Sequence, residues 1–265
     1  MTEEPIKKQR KPEELPFVAP CRQITVGAPI NWLKLGWKDI KRAPKQSLSY
    51  GLVVLLLSYL ISYVAWEVGS VYLLIAMLSG FVFIGPVLAI GLYSISKQIQ
   101  HGYTPQLGYC IRQERRHLDN ELVIAFILMI VLLVWARAAS TIHIFFPDNN
   151  SADIADFAVF LAVGSVVGSI FATVVFCASA FSLPMIMDKQ ADAVTAVLSS
   201  INAILRNKAA MLVWALLIVL LLLVSFATAL LGLVVLMPLI GHATWHGYKE
   251  VIDASEWPDY KKTEC

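Results

Sequence analysis

The sequence has few charged residues for its length. Asp, Glu, Lys and Arg make up only 15% of its 265 residues, whereas 58% are hydrophobic. A soluble domain carries about a quarter charged residues, because its surface has to face water. The shortage of charge therefore indicates a chain that is solvated largely by lipid.

Several functional signatures are also missing. The first 46 residues contain no apolar run ending in a small-residue cleavage site, so we expect no signal peptide. The cysteines show neither CxxC spacing nor a paired pattern, which argues against a zinc cluster or a disulfide framework: Cys21, Cys110, Cys177 and Cys265. GxGxxG, P-loop and GxSxG motifs are absent, and basic residues do not alternate with aromatic ones. We therefore predict no catalytic residues, no cofactor, no metal and no nucleic-acid partner.

Long apolar runs dominate the remainder of the chain. A membrane helix needs roughly 20 apolar residues to cross a hydrocarbon core of ~30 Å. Four runs meet this requirement: Leu48–Trp66, Val71–Ser96, Leu122–Phe146 and Phe157–Leu183. The fifth, Ala209–Gly241, has 33 residues without a charge. One helix of that length would overshoot the bilayer, but two helices joined by a turn near Ala227–Gly232 would fit. These runs by themselves leave five or six spans open.

The charges of the loops predict an orientation. Short loops rich in Lys and Arg stay cytoplasmic. Ten of the 21 basic residues precede Ser47, and further basic residues lie in the loops 97–121 and 188–208. The links 67–70 and 147–156 contain no Lys or Arg. This alternation predicts a multi-pass protein with a cytoplasmic N-terminus.

A weak internal repeat favours six spans. Pro86, Pro184 and Pro238 each lie in an apolar run that is followed by a polar segment. We therefore predict an all-α polytopic transmembrane bundle of three hairpins with cytoplasmic amphipathic helices. Its spans would lie near 48–66, 71–96, 122–146, 157–183, 209–228 and 230–248. The membrane domain would cover 28–252, between a disordered cytoplasmic tail at 1–27 and a C-terminal tail at 253–265.

Two amphipathic stretches precede predicted spans. Ile30–Arg42 would place an apolar stripe (Ile30, Leu33, Trp37, Ile40) beside a basic stripe that continues past its end (Lys34, Lys38, Lys41, Lys45). This composition is typical of a helix in the headgroup plane, although the helix could instead pack on the protein's own cytoplasmic face. Ala191–Leu205 is less charged, so we expect it to dock on the bundle through Ala191, Val194, Val197, Leu198, Ile201 and Leu205.

Arg137 is the one charged residue deep within a predicted span. An ionisable group inside a membrane is costly and marks a candidate functional site. Acidic residues near the outer surface would be its partners: Glu67, Asp153 or Asp156. Alternatively, the span ends near Thr141 and Arg137 extends outward to the interface.

His242 and His246 are four residues apart and share a helix face, a spacing that can hold a metal or a haem. Two histidines supply only half a zinc site, and an interfacial belt of amphipathic side chains is the alternative.

The prolines and one set of small residues also have two readings. Pro86, Pro184 and Pro238 could break helices around a transport site, or they could be ordinary kinks. Gly164, Gly168 and Ala172 form a ridge that would let a neighbouring helix approach closely. That neighbour could be internal or belong to another subunit.

Two stretches carry a resemblance to a known family. They are Phe181–Asp188 and Pro238–Tyr248, and the Arg206-Asn207 step also fits. The sequence resembles a bacterial family of predicted integral membrane proteins known only as a domain of unknown function, with the similarity expected over Ile24 to Ile252. The resemblance implies an inner-membrane location and no established activity. Some members carry the label cytochrome c oxidase subunit I, but a haem–copper core needs more spans and more histidines within them than this chain has.

Two functions remain as hypotheses. The first is a non-catalytic scaffold, assembly factor or accessory subunit, with the bilayer and other membrane subunits as its partners. The alternative is a small-solute transporter or channel that uses the Pro-kinked helices.

Overall fold

The computed structural model describes residues 15–67, 81–106, 118–145 and 154–260. Within these ranges the regular structure is helical, apart from isolated bridges between Cys21 and Ile252 and between Lys189 and Asp259. The helices are α1 (Ala28–Arg42), α2 (Pro44–Glu67), α3 (Phe81–Leu88), α4 (Ile90–Gln100), α5 (Leu118–Phe145), α6 (Ile154–Ser179), α7 (Ser182–Asp188), α8 (Ala193–Arg206), α9 (Lys208–Ala227) and α10 (Leu233–Val251).

Four apolar segments in the described residues are long enough to cross a membrane. They are Pro44–Val64, Leu122–Ile142, Ala158–Asp188 and Lys208–Ala227. These segments confirm the predicted all-α membrane bundle. The predicted span Val71–Ser96 lies partly outside the described residues, and α10 is not among the four. The count of six spans is therefore approximate.

The fifth apolar run is divided at the predicted place. α9 ends at Ala227 and α10 begins at Leu233. Ala229 and Leu230 form the turn with φ of 50° and 68°, in the left-handed region that side chains rarely adopt. The hydroxyl of Tyr59 on α2 donates to the carbonyl oxygen of Ala229 at 2.7 Å. A contact from another helix therefore helps to hold the turn.

Two glycines bring α1 and α2 close to α10. A Cβ on Gly51 would overlap the carbonyl oxygen of Val234 and lie 2.9 Å from its Cα. A Cβ on Gly36 would lie 2.9 Å from the backbone nitrogen of Ala243. Because no other residue lacks a Cβ, both crossings require glycine. α10 is thus the central helix against which α1 and α2 pack.

The three prolines occupy different positions. Pro86 lies inside α3, which is separated from α4 by Ala89 alone, and Pro238 lies inside α10. Pro184 is the third residue of the short helix α7, which begins shortly after helix α6 ends. A proline removes one helical hydrogen bond. Pro86 and Pro184 lie beside the helix interruptions at α3–α4 and α6–α7, whereas α10 continues through Pro238.

The densest packing lies at one end of the bundle. We define the cap as α1, α4, α7, α8 and the part of α10 from Ile240 onward. Large aromatic side chains fill it, all at most 1% exposed: Trp32, Phe181, Trp245 and Tyr248. Trp32 makes edge contacts with Phe181 at 6.2 Å and with Trp214 of α9 at 5.6 Å between ring centroids. The cap thus holds the aromatic part of a hydrophobic core that also includes buried residues of α2, α5, α6 and α9.

The described residues 15–27 and 253–260 pack on the cap. Ala19 is 1% exposed, and its backbone N–H donates to Ser199 Oγ at 2.8 Å. The backbone N–H of Arg22 donates to the Val251 carbonyl at 2.8 Å. The prediction of a disordered tail at 1–27 is therefore wrong for residues 15–27. Backbone hydrogen bonds and the burial of small side chains fix this segment. Such contacts leave no periodic pattern in the sequence. Residues 1–14 lie outside the described residues. The C-terminal segment also packs, with Trp257 2% exposed.

Helix α8 docks on the bundle as predicted, but through a different face. Its small residues are buried: Ala193, Ala196, Ser199, Ser200 and Ala203. Three residues of the predicted docking face are instead exposed, namely Val194, Leu198 and Leu205. Small side chains allow the helix to approach its neighbours closely, and the bulky apolar side chains remain outside. The predicted face is therefore wrong for these three residues.

Candidate functional site

A chain of buried hydrogen bonds joins four elements of the structure around Asp39 of α1. Oδ2 of Asp39 accepts from Ser96 Oγ on α4 at 2.8 Å and lies 2.8 Å from His246 Nε2 on α10. The Oγ of Ser96 is 2.7 Å from His242 Nδ1, and His242 Nε2 is 2.9 Å from Ser47 Oγ on α2. Asp39, Ser47, Ser96 and His242 are at most 3% exposed. This group, together with His246, is called the Asp39 network.

The proton positions in the Asp39 network follow from its geometry. A hydroxyl has one proton to donate, and Ser96 donates it to Asp39. Nδ1 of His242 must therefore carry the proton in its contact with Ser96. In the neutral imidazole, Nε2 then accepts from Ser47. With His242 neutral, every hydrogen bond of the Asp39 network therefore has one donor and one acceptor.

The Asp39 network has a composition that occurs in enzymes but lacks access for a substrate. A serine beside a histidine is the usual arrangement of an activated nucleophile. Ser47 and His242, however, are both 0% exposed, so no substrate reaches the hydroxyl. Among the described residues, no group of three or more His, Cys, Asp or Glu side chains could hold a metal. The arrangement can therefore connect helices, but it offers no open site.

A second cluster surrounds Asp188 at the end of α7. Oδ2 of Asp188 accepts from the Tyr248 hydroxyl at 2.8 Å and from Lys249 Nζ at 2.9 Å. Nζ of Lys97 donates to the Met187 carbonyl at 2.6 Å and lies 4.0 Å from Asp188 Oδ1. Burial lowers the pKa of Lys97 below its ordinary value, and the negative charge of Asp188 opposes this shift. We call these residues the Asp188 cluster; it ties α4 and α10 to α7.

A cavity of about 140 Å³ lies between α2, α3, α4, α6, α9 and α10 next to the break at Ala89. Its wall is mostly apolar and includes Val54, Pro86, Tyr93, Ala172, Trp214 and Met237. The indole N–H of Trp214 is buried without a hydrogen-bond partner among the described residues. An engineered apolar cavity of roughly 150 Å³ holds a benzene molecule. This cavity therefore has room for one small ring or a short alkyl chain.

The structure brings His242 and His246 together, but in protein contacts. Both belong to the Asp39 network, and His242 lies in the protein interior rather than in an interfacial belt. Arg137 is exposed on α5, and no ion pair joins it to another described residue. Asp153 and the side chain of Asp156 lie outside the described residues. An intramembrane site at Arg137 stays a prediction.

The small-residue ridge of α6 is only partly used. Gly168 faces Trp135 of α5 at 3.4 Å from the place of a Cβ, and Ala172 lines the cavity. Gly164 has no described atom within 4 Å of that place. The neighbour at Gly168 is therefore internal, whereas no close neighbour is described at Gly164.

Sequence reasoning missed the acidic residues of the cap. Asp39 is buried among Trp32, Gly36 and Ile40 on α1. An acidic residue on the buried side of an amphipathic helix was therefore the one sequence feature that could have indicated this site. Asp188 ends the stretch that carries the family resemblance, but its partners lie up to 91 residues away. Such pairings leave no trace in local spacing.

The long apolar helices and the helical cap define an all-α, multi-pass integral membrane protein. Residues 73–188 match the model of a family described as "Predicted integral membrane protein (DUF2189)". This match confirms the predicted resemblance for these residues, whereas the similarity had been expected over Ile24 to Ile252. The stretch Phe181–Asp188 lies within the matched residues, whereas Pro238–Tyr248 lies outside them. No curated protein and no solved structure is similar to the chain.

Proposed function

We propose that this protein is a non-catalytic accessory or assembly subunit that holds another membrane helix against its own span α6. The observation that carries the proposal is a face of small residues on α6 that is exposed: Ala158, Ala162, Ser165, Ser169 and Thr173. Helix pairs in membranes meet through Gly, Ala, Ser and Thr, because small side chains let the backbones approach closely. This face therefore has the composition of a helix-binding surface.

The polar groups on this face are compatible with lipid and with a helix partner. Ser169 Oγ donates to the Val166 carbonyl at 2.8 Å, and Thr173 Oγ1 donates to the Ser169 carbonyl at 2.7 Å. These hydroxyls thus satisfy themselves within α6 and can rotate toward a partner helix. Larger apolar side chains flank the face on one side, including Val166 and Ile170 at 63% and 61% exposure.

The burial and internal hydrogen bonding of the ionisable and hydroxyl side chains also support a non-catalytic role. The Asp39 network and the Asp188 cluster hold acidic, basic and hydroxyl groups in internal hydrogen bonds. Groups that are already satisfied and buried do not activate a substrate. These two networks instead stiffen the cap, and a rigid base is suited to presenting α6 to a partner.

The location completes the proposal. The positive-inside rule supports a cytoplasmic N-terminus, and the family resemblance supports the bacterial inner membrane. With this orientation the cap lies on the cytoplasmic side, because Lys97, Lys189 and Lys249 all belong to it or contact it. The partner surface on α6 then lies within the bilayer.

Ser165→Leu/Ser169→Leu is expected to remove the partner. Two leucines would hold a neighbouring helix away from α6, whereas the fold tolerates them because both positions are exposed. The tagged full-length protein is purified from its native membranes in mild detergent, and co-purifying proteins are quantified by mass spectrometry. We expect one membrane protein at constant stoichiometry with the wild type and at least tenfold less with the variant.

Val166→Leu is the matched control on the flanking bulky face, and it should retain the partner. Thermal unfolding of each variant checks that the bundle remains folded. The proposal is wrong if the wild type yields no stoichiometric partner, or if the serine variant and Val166→Leu retain equal amounts. A second copy of this chain as the partner would place the function in self-assembly instead.

The cavity beside Pro86 favours a second candidate function, a small-solute transporter or channel. Broken helices line the binding sites of many transporters, and the break at Ala89 borders this cavity. Single-ring solutes such as toluene and phenol match its volume of about 140 Å³.

We expect such solutes to raise the midpoint of thermal unfolding by a few degrees if this function holds. Ala172→Leu would fill the cavity and remove the shift, whereas Val174→Leu on the exposed face of α6 would keep it. A wild-type protein that none of these solutes stabilises would eliminate this candidate.

A further inference from the structure

Helix α1 and the first turn of α2 together present one strongly basic face to their surroundings. Lys34, Lys38, Lys41, Arg42 and Lys45 are all exposed, and we call them the basic face. Between Ile30 and Lys45 the single acidic residue is Asp39, which is 3% exposed and points into the Asp39 network. No carboxylate of this segment therefore neutralises the basic face.

Aromatic and aliphatic side chains border the basic face. Trp37 is 44% exposed and Ile30 is 50% exposed. Nζ of Lys41 lies 5.9 Å above the Trp37 ring. Tryptophan beside lysine is the composition of helices that lie at a membrane interface, where the ring reaches the acyl boundary and the ammonium groups meet the headgroups.

The opposite face of α1 packs against the other helices of the cap. Trp32 Nε1 donates to Glu250 Oε2 at 2.6 Å, Gly36 contacts α10, and Asp39 bonds Ser96 and His246. The helix is thus already formed and held at both ends of its buried face. A helix that is preformed in this way loses little backbone conformational entropy when it binds.

The position of α1 in the chain brings the basic face to the membrane surface. Helix α2, which contains a candidate span, starts at Pro44 directly after α1. Lys45 lies in its first turn, and Lys34 is eleven residues earlier in the chain, on α1. The exposed apolar residues Val194, Leu198 and Leu205 of α8 independently indicate that the cap touches the bilayer.

We infer that the basic face of α1 binds the headgroups of anionic phospholipids, with Trp37 and Ile30 at the acyl boundary. Each basic residue near an anionic membrane surface contributes a binding factor of roughly fivefold. The charge of the headgroup, and not its glycerol or acyl part, provides the recognition. This lipid contact is separate from the helix partner proposed for α6.

Charge removal on α1 tests the inference. The purified full-length protein in detergent is titrated with phosphatidylglycerol or phosphatidylcholine, and bound lipids are counted by native mass spectrometry. Wild type is expected to bind phosphatidylglycerol at least tenfold more tightly than phosphatidylcholine. Lys34→Gln/Lys38→Gln/Lys41→Gln/Lys45→Gln is expected to lose that preference, while its binding of phosphatidylcholine and its thermal unfolding stay unchanged.

The matched control is Arg206→Gln/Lys208→Gln, which removes two exposed basic residues at the junction of α8 and α9. It should retain most of the preference for phosphatidylglycerol. The inference fails if wild type does not distinguish the two lipids, if the fourfold variant keeps the preference, or if the control loses it to the same extent. If the partner helix proposed for α6 were not found, the expected preference for phosphatidylglycerol would be unchanged.

Discussion

Gly51→Ala is expected to lower the free energy of unfolding by about 3 kcal/mol, a large fraction of the stability of a bundle of this size. The new methyl group would overlap the Val234 carbonyl, which belongs to helix backbone and cannot rotate away. Helix α2 would have to move off α10 at their crossing. Thermal or denaturant unfolding of the purified protein in detergent, followed by circular dichroism, measures the change.

Gly164→Ala is the matched control in another span. No described atom lies within 4 Å of the place of its Cβ, and alanine has a better helix propensity than glycine by up to about 1 kcal/mol. We therefore expect this variant to unfold at the same point as wild type or slightly above it. If Gly51→Ala were as stable as Gly164→Ala, α2 and α10 would not cross at Gly51.

Asp188→Ala is expected to destabilise the protein by about 3–5 kcal/mol, because it leaves buried positive charge without its partner. The side chain of Lys97 is 15% exposed, and among the described residues the Asp188 carboxylate is the acidic group that pairs with it, at 4.0 Å. Tyr248 and Lys249 would lose their shared acceptor as well. The measurement is again unfolding in detergent, with limited proteolysis between α7 and α8 as a local readout.

Asp259→Ala removes a comparable carboxylate at the surface. Asp259 pairs with Lys189 at 2.6 Å, but its side chain is 70% exposed. Exposed ion pairs contribute between about 0 and 1 kcal/mol, so we expect little change in this variant. Equal losses in Asp188→Ala and Asp259→Ala would show that the Asp188 cluster does not hold α4, α7 and α10 together.

These expectations assign stability and partner binding to different parts of the molecule. The cap contains the Asp188 cluster and, apart from Ser47, the Asp39 network, and the charges of these two groups are used inside the protein. The exposed face of α6 and the basic face of α1 have no described protein contact that would use them. Variants in the Asp39 network and the Asp188 cluster should therefore change unfolding, whereas variants on those two faces should change association with helices or lipids.

Apolar composition was sufficient to predict the bundle. Each long apolar run can be identified as a span from its own residues, because every segment that crosses the lipid must satisfy its backbone hydrogen bonds internally. Ala209–Gly241 was divided correctly since 33 residues are too many for one crossing. The turn residues Ala229 and Leu230 carry no sequence signal of their own, and their positive φ is supported by surrounding contacts.

Local spacing was a weaker guide to the cap and its site. His242 and His246 were correctly placed on one helix, but their partners Asp39, Ser47 and Ser96 come from three other helices. Periodicity identified α8 as a helix that docks on the bundle, yet its small side chains rather than its large ones face inward. Segment 15–27 was expected from its composition to be disordered. That expectation was wrong, because hydrogen bonds to residues about 180 or more positions away fix the segment and leave no local signal.

The sequence by itself determined that the chain is helical and embedded in lipid, and where its longest apolar run turns. The tertiary structure alone decided which glycines are irreplaceable, which carboxylates are buried, and which faces remain open. The reason is physical: transfer into lipid depends on the composition of one segment at a time. Close packing and buried hydrogen bonds depend instead on which faces of distant segments meet.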